Sequence, residues 1–173
     1  MKKTGFLFLV LVPFLAIGQS SPKIFAYSQE LTPGTIPKGV SDENGNSIKT
    51  RKESAVNYYI FAAHPASEKI SFAEIWINGK FYSIQTHKVD STPVVNVNKN
   101  IPGSPVKEIL VPYTKLKVTS ITPVAIIEST LIRKNWFRQM TLHNELIVSY
   151  MSKGKKYFQE VKKIKILEHI AGE

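Results

Sequence analysis

SFAEIWINGKFYSIQTH, Ser71 to His87, is two alternating apolar runs that meet at Asn78-Gly79. Both residues of that dipeptide tolerate the positive φ of a type I′ turn, so the stretch predicts a β-hairpin with a two-residue loop. The loop fixes the register: Ile77 opposite Lys80, Trp76 opposite Phe81, Ile75 opposite Tyr82, Glu74 opposite Ser83 and Ala73 opposite Ile84. One face then carries Ala73, Ile75, Ile77, Tyr82 and Ile84, with Lys80 at the turn end, and is the expected core face. The other carries Phe72, Glu74, Trp76, Phe81, Ser83 and Gln85, a polar face broken by one aromatic cross-strand pair. Such a pair stabilises a hairpin by about 0.2–1 kcal/mol, which is reason enough for Trp76 and Phe81 to be there. If exposed, the same two rings are a candidate binding surface.

Upstream, Ala55 to His64 is apolar on both faces apart from Asn57, the pattern of a central strand, and Pro65 ends it. Ser20 to Ser54 is rich in breakers (Pro22, Pro33, Gly34, Pro37, Gly39 and Asp42 to Asn46) and predicts a loop-rich lead-in over residues 19–54. Within it Ile24 to Tyr27 suggests a short edge strand, and Ile48 the start of another.

Downstream, Val94 to Val97 predicts an edge strand followed by a loop around Pro102, Gly103 and Pro105, and Val106 to Val111 another strand. Leu116 to Ile121 alternates, Pro123 breaks it, and Val124 to Ile127 resumes. Glu128 to Asn144 is ambiguous: Leu131, Ile132, Trp136 and Met140 fall near helical spacing, whereas Met140 to His143 alternates. The expectation here is a strand with a loop. Glu145 to Met151 alternates, Ser152 to Lys155 forms a turn with Gly154 at its permissive position, and Lys156 to Leu167 returns. That return changes parity between Val161 and Ile164, so as a strand it requires a bulge near Lys162-Lys163. A helix grouping Tyr157, Val161, Ile164 and Glu168 is the alternative.

Short strands at spacings near ten residues predict an all-β fold, an antiparallel β-sandwich, immunoglobulin-like in the loose sense, as a single domain over residues 55–173. A domain of about 150 residues buries roughly 68–70% of its unfolded surface, so packing suffices without staples or cofactors. The chain has 173 residues and no cysteine, which excludes disulfides, thiolate metal sites and cysteine nucleophiles.

Lys2 and Lys3 precede the apolar run Phe6 to Ile17, and Ala16 and Gly18 are small residues at a cleavage site. Residues 1–18 therefore predict a secretory signal peptide, cut after Gly18. The run is too short to remain as a membrane anchor, for which about 20 apolar residues are needed. The expected address is the periplasm before full secretion, with no membrane span after cleavage. Net charge is +10, and losing Lys2 and Lys3 leaves 21 basic against 13 acidic residues, or +8. That excess favours anionic surroundings; for an exported protein these are envelope polymers, glycans or phosphate-bearing lipid rather than nucleic acid.

Catalytic motifs are missing: no Gly-x-Ser-x-Gly elbow, phosphate loop, dinucleotide fingerprint or His-Glu-x-x-His. His64, His87, His143 and His169 are scattered, and Asp42 and Asp90 are the only aspartates, so neither a metal site nor a calcium loop is expected. Glu74 is the one acid inside the predicted hairpin, either a desolvated general acid or simply a solvated residue facing Ser83. Arg133-Lys134-Asn135-Trp136-Phe137-Arg138 sets two guanidinium groups around an indole, which suits stacking on a sugar, a base or a carboxylate. Its structural reading is Trp136 in the core with the cations reaching outward. Lys153, Lys155, Lys156, Lys162, Lys163 and Lys165 read most simply as guards against edge-to-edge pairing.

The function this implies is a non-catalytic exported module that contacts an envelope protein partner through a sheet face or edge, as an accessory to a larger assembly. The alternative is a small-ligand or glycan binder using Trp76 and Phe81, or Trp136 with Arg133 and Arg138. A third reading is a hydrolase whose site is assembled from distant residues.

Overall fold

The computed structural model describes residues 21–32, 55–98, 106–168 and 170–171. The expected leader, most of the breaker-rich stretch with Ile48, the expected loop around Pro102 to Pro105, and His169 lie outside the described residues.

The expected hairpin is present as β3 (Ile70–Ile77) and β4 (Lys80–Lys88), with Asn78 and Gly79 at φ +42° and +94°. Pairing follows the predicted register from Ile77–Lys80 to Glu74–Ser83. The Ala73–Ile84 rung is not formed. Opposite the neighbouring strand β8 (Leu146–Ser152), two residues of β3, Ala73 and Glu74, face Ser149 alone. This bulge turns the far half of β3 away from β4.

Among the described residues the fold is all-β apart from one short helix and one 3-10 turn. The remaining strands of the large sheet are β1 (Lys23–Thr32), β2 (Ala55–His64), β7 (Lys117–Ile127), β9 (Lys155–Val161), β10 (Lys165–Ile166) and β11 (Ile170–Ala171). Strands β5 (Val94–Asn98) and β6 (Val106–Val111) form a separate antiparallel ribbon. The large sheet runs β10-β1-β2-β7-β4-β3-β8-β9, with β11 also on β1. Both β10 and β11 pair with β1 in parallel, so the sheet is mixed rather than wholly antiparallel.

It is also curled rather than split into two stacked layers. Only Lys162, Lys163 and Ile164 separate β9 at one margin from β10 at the other, and a link of that length spans no more than about 14 Å. The expected bulge at Lys162-Lys163 is in fact this crossing. Ile164 is buried in the core, and its N–H donates to Glu145 Oε2 at 2.7 Å. The change of parity reflects a change of sheet edge.

Alternation along the strands sorts the apolar side chains onto two sides. The inner cluster holds Ala26, Ile60, Ala62, Ile75, Ile77, Ile121, Leu146 and Val148, drawn from strands across the whole sheet. On the outer side, Tyr27, Phe61, Ala63 and Val118 pack under Leu110 and Val111 of the ribbon. Trp76, Phe81 and Ile147 pack under Phe137. Burying a large apolar side chain is worth about 1.5–3 kcal/mol, so each outer cover contributes materially to the fold.

Phe137 belongs to α1 (Asn135–Thr141), which follows a 3-10 turn over Thr130–Arg133. The strand expected in Glu128 to Asn144 is therefore a turn and a helix, in keeping with the helical spacing of Leu131, Trp136 and Met140. Seven residues with no N-cap side chain do not make a stable isolated helix. It is held by Phe137, which is 1% exposed and stacked on Phe81 at 5.3 Å, and by Arg138 Nε, which donates to Ile132 O at 2.9 Å.

Two further expectations change. Pro123 does not break β7, which runs on to Ile127. Proline is accommodated because Val124 and Ala125 bulge opposite Ser83 and because, among the described residues, β7 has no partner on its other side here. Nor is Ile24 to Tyr27 a short edge strand in a loose lead-in: β1 is ten residues long and flanked on both sides. Gln29, 1% exposed, fixes it by donating from Nε2 to Glu168 O at 2.8 Å while its Oε1 accepts from Tyr59 Oη at 3.0 Å.

Candidate functional site

The sheet parts between β2 and β7. The two strands pair from His64–Lys117 to Ile60–Ile121 and no further. Beyond that rung, among the described residues, β2 continues through Tyr59, Tyr58, Asn57 and Val56 paired only with β1, and β7 continues through Thr122 to Ile127 paired only with β4. A cleft of about 450 Å³ lies between them, bounded by Val56, Tyr58, Tyr59 and Phe61 on one side and by Ser120, Thr122, Pro123 and Val124 on the other. Tyr82 reaches it from β4.

Its chemistry follows from the alternation. Tyr58 and Tyr82 lie on the inner side, against the core, and Tyr59 lies on the outer side. Burial pushes the Tyr58 phenol above its ordinary value, and the neighbouring Tyr82 phenol adds to the rise. Val56 and Val124 stay 41% and 63% exposed at the mouth. The cleft thus offers apolar and phenolic surface together with two strand edges whose ladder groups on this side have no strand partner among the described residues.

Those two edges are not equivalent. Pro123 deprives the β7 side of a donor, a common way of blunting an edge. The β2 side, Val56-Asn57-Tyr58-Tyr59, carries neither proline nor lysine. By contrast β9, at the sheet margin, carries Lys155 and Lys156, and β4 carries Lys88 where it diverges from β3.

No family model matches the chain, and no curated protein or solved structure gives a significant match to it.

The five residues singled out from the sequence fall into one neighbourhood, away from this cleft. Trp76 and Phe81 are each 6% exposed, because α1 covers their part of the face read as polar with one aromatic pair; neither ring meets solvent as a binding platform would. Trp136 is 47% exposed, its indole edge-on to Phe137 and to Phe158. Arg133, at the end of the 3-10 turn, lines a hollow of about 600 Å³ with Ile126, Ile132 and Glu128. Arg138 spends its Nε–H on Ile132 O. Trp136 is thus neither fully in the core nor framed by two free guanidinium groups.

Glu74 does not simply face Ser83; its carboxylate accepts from Lys156 Nζ at 2.6 Å. His64 is buried, its Nδ1 3.0 Å from Pro65 O and its ring edge-on to Phe72. Among the described residues no three His, Asp or Glu side chains converge as metal ligands, and no helix is long and apolar enough to cross a membrane.

Sequence reasoning missed Tyr58 and Tyr82, because parting of β2 from β7 depends on pairing between segments about sixty residues apart in the chain. One signal was present. A proline within an otherwise alternating strand marks an edge that is not needed for the ladder, and Pro123 marks the cleft.

Proposed function

We propose that this protein is a non-catalytic, exported interaction module, periplasmic rather than fully secreted, that serves a larger envelope assembly by accepting an extended segment of a partner protein along β2. The observation that supports this reading is the parted seam: an unguarded run of strand edge, Val56 to Tyr59, facing a tyrosine-lined cleft. An added strand supplies what such an edge lacks, N–H and C=O groups at the ladder spacing, while its alternate side chains meet Tyr58 and Tyr82. The signal-peptide pattern of residues 1–18 and the basic balance of the chain support the address.

The test is capture of the tagged full chain, expressed with its own leader, from envelope extracts. A stoichiometric protein partner that is lost in Val56→Lys supports the reading, because a lysine at an open edge opposes strand addition. Val56 is exposed enough for Val56→Lys to keep the parent melting curve. A clean monomer from the envelope, or a partner retained by Val56→Lys, counts against it.

A second reading, a glycan or small-ligand binder, is favoured by the half-exposed Trp136 and by the hollow at Arg133. Quenching of tryptophan fluorescence by envelope glycans, abolished in Trp136→Ala, distinguishes it from the first.

A further inference from the structure

A further cavity, about 710 Å³, is separate from both places above. It lies where the end of β4, the segment that follows it and the β6–β7 loop come together, and its lining includes Lys88, Lys115 and Lys117. Lys88 is at the end of β4 opposite Thr119, and Lys117 is two residues from Thr119 on the same side of β7. Asp90 is the one acid in the lining, so the cavity carries an excess of two positive charges. Among the described residues none of these four side chains is in an ion pair; the salt bridges present involve Lys156 and Lys165.

The walls are fixed before any ligand arrives. Thr92 Oγ1 donates to Thr114 O at 3.2 Å and accepts from Thr114 N–H at 3.1 Å, which pins the segment after β4 to the β6–β7 loop. Thr114 Oγ1 in turn accepts from Leu116 N–H at 3.1 Å. Tyr113 stands at the rim with 74% of its surface exposed, a flat aromatic face with no core to fill. Like charges around one concave site raise the local concentration of anions, and an exposed ring beside them favours a ligand with a face of C–H groups.

We infer that this cavity is a binding site for an anionic sugar, whose carboxylate or phosphate lies among Lys88, Lys115 and Lys117 and whose ring stacks on Tyr113. The site is independent of the strand-accepting seam.

Isothermal titration of the full mature chain with glucuronate, glucose 6-phosphate, glucose and inorganic phosphate tests it. Binding of either sugar acid, with glucose at least about tenfold weaker, upholds the site, and the tighter of the two identifies the charged group. Lys115→Gln/Lys117→Gln is expected to weaken the sugar acid about tenfold or more. Lys153→Gln/Lys155→Gln removes the same charge from the β8–β9 turn and is expected to leave the affinity unchanged. Tyr113→Ala is expected to weaken the sugar acid several-fold without altering the affinity for phosphate. Equal loss in the two double variants means diffuse attraction to a basic surface and overturns the proposal, as does glucose binding as tightly as the acids or no binding by any acid.

Discussion

Ser149 closes on both backbone polar groups of Glu74. Its Oγ accepts from the Glu74 N–H at 3.2 Å and donates to the Glu74 carbonyl at 2.9 Å, filling the gap that the bulge leaves between β3 and β8. With Ser149 only 2% exposed, water cannot easily replace it. Ser149→Ala is therefore expected to lose about 1–3 kcal/mol of unfolding free energy, whereas Ser83→Ala, whose bond to Ala125 O is exposed, loses under about 1 kcal/mol. Urea unfolding of the two variants checks this; equal losses would mean that the bulge does not depend on the hydroxyl.

The Trp76 indole N–H is buried beneath α1 with no hydrogen-bond partner among the described residues. An unmet buried donor costs about 1–3 kcal/mol, which offsets part of what the ring gains by burial. Trp76→Phe removes donor and bulk together and should leave stability within about 1 kcal/mol of the parent, while Trp76→Ala loses about 3–5 kcal/mol. If thermal melts place the two variants together, the N–H has a partner after all.

Lys153 sits in the β8–β9 turn at φ +50°, where a side chain other than glycine or asparagine is strained. Lys153→Asn keeps the turn and relieves that strain, with an expected gain of about 1 kcal/mol. Gly79→Val places a β-branched residue at φ +94° in the other hairpin and should cost more than that gain. Denaturant midpoints that fail to move in opposite directions would refute the pairing of these effects.

Tyr27, Tyr58 and Tyr150 all hold their protons above the ordinary value of 10.0, chiefly because burial disfavours the phenolate. The unfolded chain ionises these groups first, so the native state binds more protons once the pH passes 10 and stability falls from there upward. Below pH 10 their contribution is fully present. Unfolding free energy measured at pH 8, 10 and 11 should fall across the last two points, and less steeply in Tyr58→Phe. An unchanged slope in that variant would exclude Tyr58 as a source.

Much of the fold was legible because its signals are local. The Asn78-Gly79 turn, the Trp76–Phe81 rung, the doubly apolar β2 and the turn at Lys153-Gly154 each follow from a few adjacent residues. The helix over Asn135–Thr141 was not, since its spacing is shared by a strand and a loop, and what decides it is Phe137 meeting Phe81 from a distant part of the chain. Nor was the curl: parallel pairing of β10 with β1 leaves no mark in either segment, and a crossing at Lys162 to Ile164 has the same parity as a bulge. Whether Trp76 and Phe81 are open was left to their exposure for the same reason, because what covers a sheet face is not written in the strands themselves.

The bond from Gln29 to Glu168 joins residues 139 positions apart. While the chain is being made, β1 therefore waits for residues 139 positions further on before its outer margin is occupied. Contacts of such long range slow folding, and until the last strands emerge Tyr27 and Gln29 belong to an unfinished rim. Any factor that escorts the nascent protein has that rim to shield.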